Sequence, residues 1–275
     1  MDTIDALILG IVQGLAEYLP ISSSGHLEIC REVLGLQLSG ADALEFDVTL
    51  HVATVLSTIV VLWREFARLC RSFFTFKRDR ETTYVWKLIV SCIPVGIVGL
   101  CFKDQIEAFF GKGLTVVGVC LMITAGLLAF AYFFRRLPVN RYSDGHERQH
   151  EISWFDALVI GCAQAVAVLP GLSRSGSTIA TGLLLGDRRD QLAQFSFFMV
   201  IIPILGQALL DILKMAGGEA TATAAIGWTP MAVGFISSFL VGCLACKWMI
   251  ELVKRGKLIW FAVYCAAMSL VCLLH

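Results

Sequence analysis

The alternation of apolar and polar stretches along the chain is that of a membrane protein. Six long apolar runs recur, at about 46–63, 84–102, 114–134, 194–214, 229–250 and 258–274. Runs of about 20 apolar residues cross the hydrocarbon core of a bilayer as single helices. The pattern therefore predicts six transmembrane helices.

Two further apolar segments, 3–38 and 154–187, are broken near their middle by polar, glycine-containing sequence. The apolar stretch on each side of a break is too short to cross a bilayer comfortably. Non-helical backbone at membrane depth is tolerated only where it is buried in protein or lines a wet cavity. We therefore predict two re-entrant helical hairpins, each entering and leaving the membrane on one side, whose breaks line such a cavity.

The two broken segments resemble each other. Each begins with Asp-Ala-Leu, at Asp5 and at Asp156, and each has a glutamine, Gln13 or Gln164, before a break containing proline, serine and glycine. Such agreement indicates an internal duplication.

The positions of lysine and arginine indicate how the two repeats are oriented relative to each other in the membrane. Lysine and arginine concentrate in alternate loops, which the positive-inside rule assigns to the cytoplasm. That assignment works when both broken segments are hairpins, and three crossings then separate them. A repeat with an odd number of crossings is inverted, as in many transporters. We predict one membrane domain over 1–275, with repeat 1 at about 1–135 and repeat 2 at about 154–275.

The amino-acid composition indicates which class of protein this is. The chain has 275 residues, of which 57% are hydrophobic and 16% charged, and its mean hydropathy is +0.76. These values exclude an ordinary soluble domain. The formal net charge is zero, so no basic field indicates a nucleic-acid partner. The predicted fold class is an all-α polytopic membrane protein with about six transmembrane helices and two re-entrant hairpins in an inverted repeat.

The breaks carry the candidate chemistry. Gln13 and Glu17 lie four residues apart and share one helix face, and intramembrane polar groups indicate function by default. Half-helix N-termini attract anions, and an arginine offers a fixed fork to phosphate oxygens. The serine-rich turn supplies nucleophile candidates, and a histidine supplies a proton shuttle. The candidate residues are Gln13, Glu17, Ser22, Ser23 and His26 at the first break and Ser173, Arg174, Ser175 and Thr178 at the second.

This set fits phosphoryl transfer, which needs a nucleophile, an acid or base, and positive groups on the equatorial oxygens. Glu17 is the candidate ligand of a divalent cation, whose shell the substrate phosphates would complete. A structural alternative is that Glu17 and Arg174 pair only to hold the hairpins together. A functional alternative is a transporter or flippase for a phosphorylated prenyl lipid, which the inverted repeat favours.

Two other groups of polar residues are weaker candidates. Asp47 and His51 lie four residues apart inside a predicted span and are candidates for support of the site. His150, with His146, Asp144 and Glu147, falls in a predicted cytoplasmic loop. A metal cluster is conceivable there, but the spacing lacks a closed ligand set and favours a solvated loop.

The two motifs also resemble a known family. Gln13-x-x-x-Glu17, the loop from Pro20 to His26 and the motif from Pro170 to Thr178 are together similar to the integral-membrane undecaprenyl-diphosphate phosphatases of bacteria, over essentially the whole chain. The resemblance implies hydrolysis of the C55 prenyl diphosphate left by cell-wall polymerisation, in the bacterial cytoplasmic membrane and toward its outer face. It also implies dependence on Mg²⁺ or Ca²⁺ and a link to bacitracin tolerance.

Residue by residue, the resemblance assigns the acidic motif to Gln13 and Glu17, the reactive loop to Ser23 and His26, and phosphate binding to Ser173 and Arg174, with Thr178 closing the motif. We favour Ser23 as nucleophile with His26 as acid and base, and His26 as nucleophile stays open. The expected partners are the prenyl diphosphate and membrane lipids, with a homodimer left open.

Overall fold

The computed structural model is helical throughout the part of the chain that it describes, which comprises residues 1–36, 38, 40–75, 79–102, 105, 113–140, 149–216 and 226–275. The helices are α1 Thr3–Ala16, α2 Ser23–Val33, α3 Gly40–Val61, α4 Trp63–Phe74, α5 Arg80–Cys101, α6 Leu114–Phe134, α7 Trp154–Val166, α8 Arg174–Leu185, α9 Arg189–Met199, α10 Ile201–Ala216, α11 Trp228–Lys254 and α12 Ile259–Leu274. The predicted all-α class is confirmed.

Within the described ranges, five stretches are long and apolar enough to cross a membrane. They are Asp42–Val61, Arg80–Cys101, Leu114–Phe134, Arg189–Leu210 and Trp228–Lys254. The fourth stretch joins α9 and α10 and begins before the predicted start at 194. The sixth predicted crossing corresponds to α12, which has 16 residues and is therefore a shorter apolar helix than the other five.

The outer surface of the bundle is apolar. Leu100, Leu244 and Leu274 are 81%, 71% and 87% exposed, and many other large aliphatic and aromatic side chains share this exposure. A soluble monomer rarely presents so much apolar surface. The exposed face is therefore the lipid-facing surface of a multi-pass membrane protein.

Each broken segment forms two short helices joined by a turn, α1 with α2 and α7 with α8. Both begin with a capping box: Asp2 and Asp5 exchange side-chain and backbone hydrogen bonds before α1, and Ser153 and Asp156 do the same before α7. These boxes satisfy amide groups that a helix start leaves unpaired. The shared Asp-Ala-Leu sequence thus marks the start of each broken segment.

Glycines allow the first helix of each hairpin to approach a long helix closely. α1 packs on α11, and α7 packs on α5. A Cβ atom at Gly10 would lie 2.5 Å from the Gly234 carbonyl oxygen, and one at Gly161 would lie 2.3 Å from the Ser91 carbonyl oxygen. Only glycine fits at either crossing, as in other close helix contacts within membranes.

The buried core surrounds the tip of the first hairpin. Tyr18 is 2% exposed, and its ring meets that of Phe197 edge to face at a centroid distance of 5.0 Å. Its hydroxyl donates a hydrogen bond to the Thr54 carbonyl oxygen over 2.6 Å. This packing ties the end of α1 to α3 and α9 and so fixes the direction of the neighbouring Glu17.

Candidate active site

The turn of the first hairpin is built around a serine with strained backbone. Helix α1 ends at Ala16, and α2 begins at Ser23. Between them Ser22 has a φ of 70°, in the left-handed region that residues other than glycine rarely adopt. The Ser22 hydroxyl accepts a hydrogen bond from the Gly25 amide over 3.3 Å and so caps α2. This capping hydrogen bond at the start of α2 therefore stabilises the strained backbone conformation of Ser22.

The turn of the second hairpin places a glycine, and not a serine, in the left-handed backbone region. Gly171 has a φ of 89°, and the hydroxyl of Ser173 caps α8 by accepting the Gly176 amide over 3.1 Å. The Ser173 amide in turn donates to the Thr124 hydroxyl on α6 over 3.1 Å. Helix α8 therefore begins at Arg174 in a fixed position, with its N-terminus at the first hairpin.

Glu17 connects the two hairpins. Its Oε2 atom accepts hydrogen bonds from the Ser23 hydroxyl over 2.8 Å and from the Gln13 side-chain amide over 2.9 Å. Its Oε1 atom accepts a hydrogen bond from the Arg174 guanidinium, and His51 Nε2 lies 3.4 Å from Oε2. The carboxylate is 6% exposed. The structure thus brings Gln13, Glu17, Ser23 and Arg174 into one site and places His51, a candidate for support of the site, beside them.

His26 faces a different partner from the one expected of a serine–histidine pair. Its Nδ1 atom lies 2.8 Å from the Ser22 carbonyl oxygen, which can only accept, so Nδ1 carries the proton. Its Nε2 atom then accepts from the Tyr264 hydroxyl over 2.8 Å, and the two rings stack with centroids 5.6 Å apart. Ser23 therefore has Glu17, and not His26, as its hydrogen-bonded base.

The remaining predicted residues hold the two tips in place. The Ser175 hydroxyl donates to the Leu19 carbonyl oxygen over 3.0 Å, which joins the second hairpin to the first. The Thr178 hydroxyl lies 2.9 Å from the Arg174 carbonyl oxygen and 2.7 Å from the hydroxyl of Ser196 on α9. Ser22 and Ser173 cap their helices. These four hydroxyl groups therefore position Ser23 and Arg174, because their hydrogen bonds are made to the scaffold.

Asp47 and His51, both on α3, contact different partners. Asp47 forms an ion pair with Arg31 on α2, whereas His51 directs Nε2 toward Glu17 and holds Nδ1 2.7 Å from the Asp47 carbonyl oxygen. Only His51 thus reaches the site directly. Tyr264 was not predicted at all, because it lies 238 residues from His26 in an apolar helix and belongs to neither motif.

A larger cavity lies elsewhere. It has a volume of about 670 Å³ and is lined by α4, α5, α9 and the segment before α7, with Tyr84 and Lys87 on its wall. The cavity beside Glu17 and Arg174 is much smaller and includes Tyr18, Thr54 and Thr58. Charged side chains line the larger cavity as well, but Glu17 and Arg174, which the two sequence motifs single out, line the smaller one. We base the site on these residues because volume alone carries no chemistry.

The fold and the site together define a class. This is a multi-pass membrane protein whose carboxylate, serine, histidine and arginine meet where two half-helices begin inside the bundle. Two positive helix ends and a guanidinium group facing one buried carboxylate form a site suited to an anionic ligand.

Comparison with known proteins identifies the family. The sequence model described as "Bacitracin resistance protein BacA" matches residues 6–271. The chain is 56% identical over 272 residues to an undecaprenyl-diphosphatase of Parabacteroides distasonis and 55% identical over 272 residues to one of Bacteroides fragilis, covering 98% of this chain and 97% of the relative in both cases. One of Oceanobacillus iheyensis is 36% identical over 274 residues, or 97% of this chain and 94% of that protein. The chain therefore belongs to the bacitracin resistance protein BacA family.

Proposed function

We propose that the protein hydrolyses undecaprenyl diphosphate to the monophosphate and inorganic phosphate. The reaction recycles the lipid carrier of cell-wall synthesis and confers tolerance to bacitracin. The observation that carries the proposal is the Ser23 hydroxyl donating to Glu17 over 2.8 Å, with Arg174 on the other oxygen of the same carboxylate. A binding site alone has no need of a serine with an adjacent base.

The roles follow from these contacts. The Ser23 oxygen attacks the terminal phosphorus while Glu17 takes the hydroxyl proton, and the undecaprenyl phosphate leaves as the P–O–P bond breaks. The terminal phosphoryl group is then carried as an ester on Ser23. Water then attacks the phosphorus of that ester. As the bond between phosphorus and the Ser23 oxygen breaks, the proton held by Glu17 returns to that oxygen and inorganic phosphate leaves. Arg174 and the amide groups at the starts of α2 and α8 bind the phosphoryl oxygens.

His26 and Tyr264 act at the edge of this set. The tautomer fixed by the Ser22 carbonyl oxygen leaves Nε2 as an acceptor, so His26 can accept a proton from the attacking water once Tyr264 turns away. His26 as the nucleophile is the alternative assignment. The two assignments separate cleanly, because a phosphoryl group on serine is stable to acid and one on histidine is not.

The residues around Glu17 fit a divalent cation. Gln13 is 0% exposed, and its Oε1 atom has no hydrogen-bond partner among the described residues. A carboxylate beside a buried amide oxygen is a donor set that Mg²⁺ or Ca²⁺ accepts. Glu17 and Gln13 would hold the ion, which would supply positive charge against the diphosphate.

We place the protein in the bacterial cytoplasmic membrane with the site facing outward, since the charge pattern of the loops supports that orientation. The inverted repeat also stays part of the proposal. The reciprocal packing of α1 on α11 and of α7 on α5 supports it and keeps lipid translocation as a second candidate function. Translocation in proteoliposomes no faster than in empty vesicles would remove that candidate.

The deciding experiment measures phosphate release from a short prenyl diphosphate by the purified protein in detergent, with and without a chelator. Cation-dependent release that is lost in Ser23→Ala and in Arg174→Ala is the expected result. Lipid binding without release under any cation would reject the phosphatase and favour the transporter.

A further inference from the structure

A second cluster of ionisable groups lies at the opposite end of the second hairpin. Helix α8 has 12 residues, so its two ends are about 18 Å apart. Arg174 begins that helix at the active site, and Asp187 follows its other end. There the ligand-type atoms of His150, Asp156 and Asp187 all lie within 4.8 Å of one another.

Asp187 is the unexplained member of this cluster. It is 0% exposed, yet neither carboxylate oxygen accepts a hydrogen bond from any residue that the structure describes. A buried carboxylate without hydrogen bonds is costly, and the ion pair with His150, whose Nδ1 atom lies 3.5 Å from Oδ1, leaves Oδ2 without a close partner among the described residues. Arg135, also buried, acts on Asp187 electrostatically. Both carboxylate oxygens therefore keep lone pairs that a bound cation can use.

His150 is oriented as a metal ligand would be. Its Nε2 atom lies 3.1 Å from the Leu185 carbonyl oxygen and donates its proton there. The Nδ1 atom then faces the carboxylates, 3.5 Å from Asp187 Oδ1 and 3.7 Å from Asp156 Oδ2. The Nδ1 atom also lies 3.1 Å from the Glu151 carbonyl oxygen, which can only accept. Both ring nitrogens therefore carry protons in this structure, and a metal ion would replace the Nδ1 proton. Histidine ligands commonly donate their other ring proton to a backbone carbonyl in this way.

The spacing also fits a small divalent ion. Ligand atoms about 2.1 Å from a tetrahedral ion lie roughly 3.4 Å apart, close to the two distances from His150. One imidazole nitrogen and two carboxylates suit a first-row transition metal better than Mg²⁺ or Ca²⁺, which prefer oxygen alone.

We propose that His150, Asp156 and Asp187 form a binding site for a divalent transition-metal ion such as Mn²⁺ or Zn²⁺. The ion joins the segment before α7, the first turn of α7 and the turn after α8. The backbone already pairs these segments, because the His150 amide donates to Gly186 and the Arg188 amide donates to His150. The metal therefore links the start of α7 to the end of α8, at the end of the second hairpin that lies away from the active site.

Mn²⁺ is the probe of choice because cysteine thiolates bind Zn²⁺ readily but have little preference for Mn²⁺. The chain has ten cysteines, which would compete with the proposed site for Zn²⁺. The full-length protein in detergent, free of any affinity tag, is titrated with Mn²⁺, and the free ion is counted by electron paramagnetic resonance. The same titration is done on Asp187→Asn, His150→Gln, Glu17→Gln and Asp190→Asn. Asp190 is an exposed neighbour paired with Arg188 and gives the matched control.

We expect the parent, Asp190→Asn and Glu17→Gln to bind Mn²⁺ at this site with equal affinity, and Asp187→Asn and His150→Gln to bind it at least about ten-fold more weakly. Any additional ion held at the proposed active site should be lost in Glu17→Gln alone. Retention in Glu17→Gln separates this site from the proposed active site, so either proposal can fail alone. Equal affinity in all variants, or no binding by the parent beyond that of Asp187→Asn, overturns the proposal.

A second readout covers the case in which Asp187→Asn does not fold. His150 is 53% exposed on its side chain, so His150→Gln leaves the core intact. Electron spin-echo spectroscopy of the bound Mn²⁺ should show coupling to an imidazole nitrogen in the parent and none in this variant. Absence of that coupling in the parent would also overturn the proposal.

Discussion

The two helical hairpins are built alike but carry different side chains. Both begin with a capping box, cross a long helix at a glycine, and restart at a serine-capped helix. In the first, Glu17 follows the central glutamine, and the Gln13 amide binds it. In the second, Val168 occupies the corresponding place, and Gln164, 1% exposed, has no hydrogen-bond partner for its side chain among the described residues.

The groups proposed to react lie in the first hairpin, and the positive charge lies in the second. The first hairpin holds the serine, the base and the histidine, and it accepts strain at Ser22 so that the Ser22 carbonyl oxygen can hold the His26 ring. The second hairpin turns through Gly171 without that strain and contributes a guanidinium group. The two hairpins thus supply two unlike halves of a single site.

The largest effect should come from the reactive half. Ser23→Ala should lower turnover at least about 10⁴-fold, and Glu17→Gln about 10³-fold, because one removes the nucleophile and the other its base. The double variant should be slower than Ser23→Ala by much less than about 10³-fold, because the loss of the serine already removes the need for its base. Single-turnover phosphate release measures all three.

Ser24→Ala is the matched control for Ser23→Ala, because the only hydrogen bond found for the Ser24 hydroxyl within the described chain is to Ser22, over 3.4 Å. It should keep near-parental turnover. Multiplicative losses in the Ser23 and Glu17 double variant would mean that the two residues act independently.

The next largest effect concerns the charged half. Arg174→Ala should lower turnover about 10³-fold, because a guanidinium group on the transferring phosphoryl group is worth at least that much. Arg174→Lys should recover only part, since a lysine lacks the fork. Arg188→Ala, an exposed arginine paired with Asp190, serves as the control. Full activity in Arg174→Lys would contradict a two-point contact with phosphate.

A smaller effect is expected at the edge of the first hairpin. Tyr264→Phe should lower kcat/KM roughly ten-fold, because the hydrogen bond that holds the His26 ring in place is lost. The pH profile of kcat/KM should change shape, because the tyrosine acts through a titrating ring. Tyr132→Phe is the control. An even loss at every pH would assign Tyr264 a packing role only.

The smallest effects test the shared construction. Gly10→Ala and Gly161→Ala should each lower the free energy of unfolding by about 1–3 kcal/mol, because the added methyl group overlaps backbone at a helix crossing. Gly96→Ala has open space around its Cβ and should show no loss. Unfolding in mixed micelles measures the three. Equal losses at Gly10 and Gly161 would support the repeat, and a loss at one alone would weaken it.

Much of the fold follows from apolar run length and from the two breaks, because both are local properties of the chain. The charged centre was also predictable, since Glu17 and Arg174 lie in motifs whose helices must meet. The sequence did not predict Tyr264, because nothing local distinguishes a tyrosine that faces a site from one that faces lipid. The cluster at His150 was missed for a similar reason: we expected a solvated loop, and its partners Asp156 and Asp187 come from other segments, while His146, Asp144 and Glu147 lie outside the described residues.

The ion pair between Glu17 and Arg174 also governs which anions the protein turns away. Any phosphate that takes Arg174 must first separate it from a carboxylate in a poorly hydrated site, where that attraction is strong. A prenyl diphosphate can offset this cost by placing its tail along the apolar surface of the bundle. Inorganic phosphate has no tail and gains nothing comparable. The resting pair therefore disfavours the binding of free inorganic phosphate relative to the binding of a prenyl diphosphate.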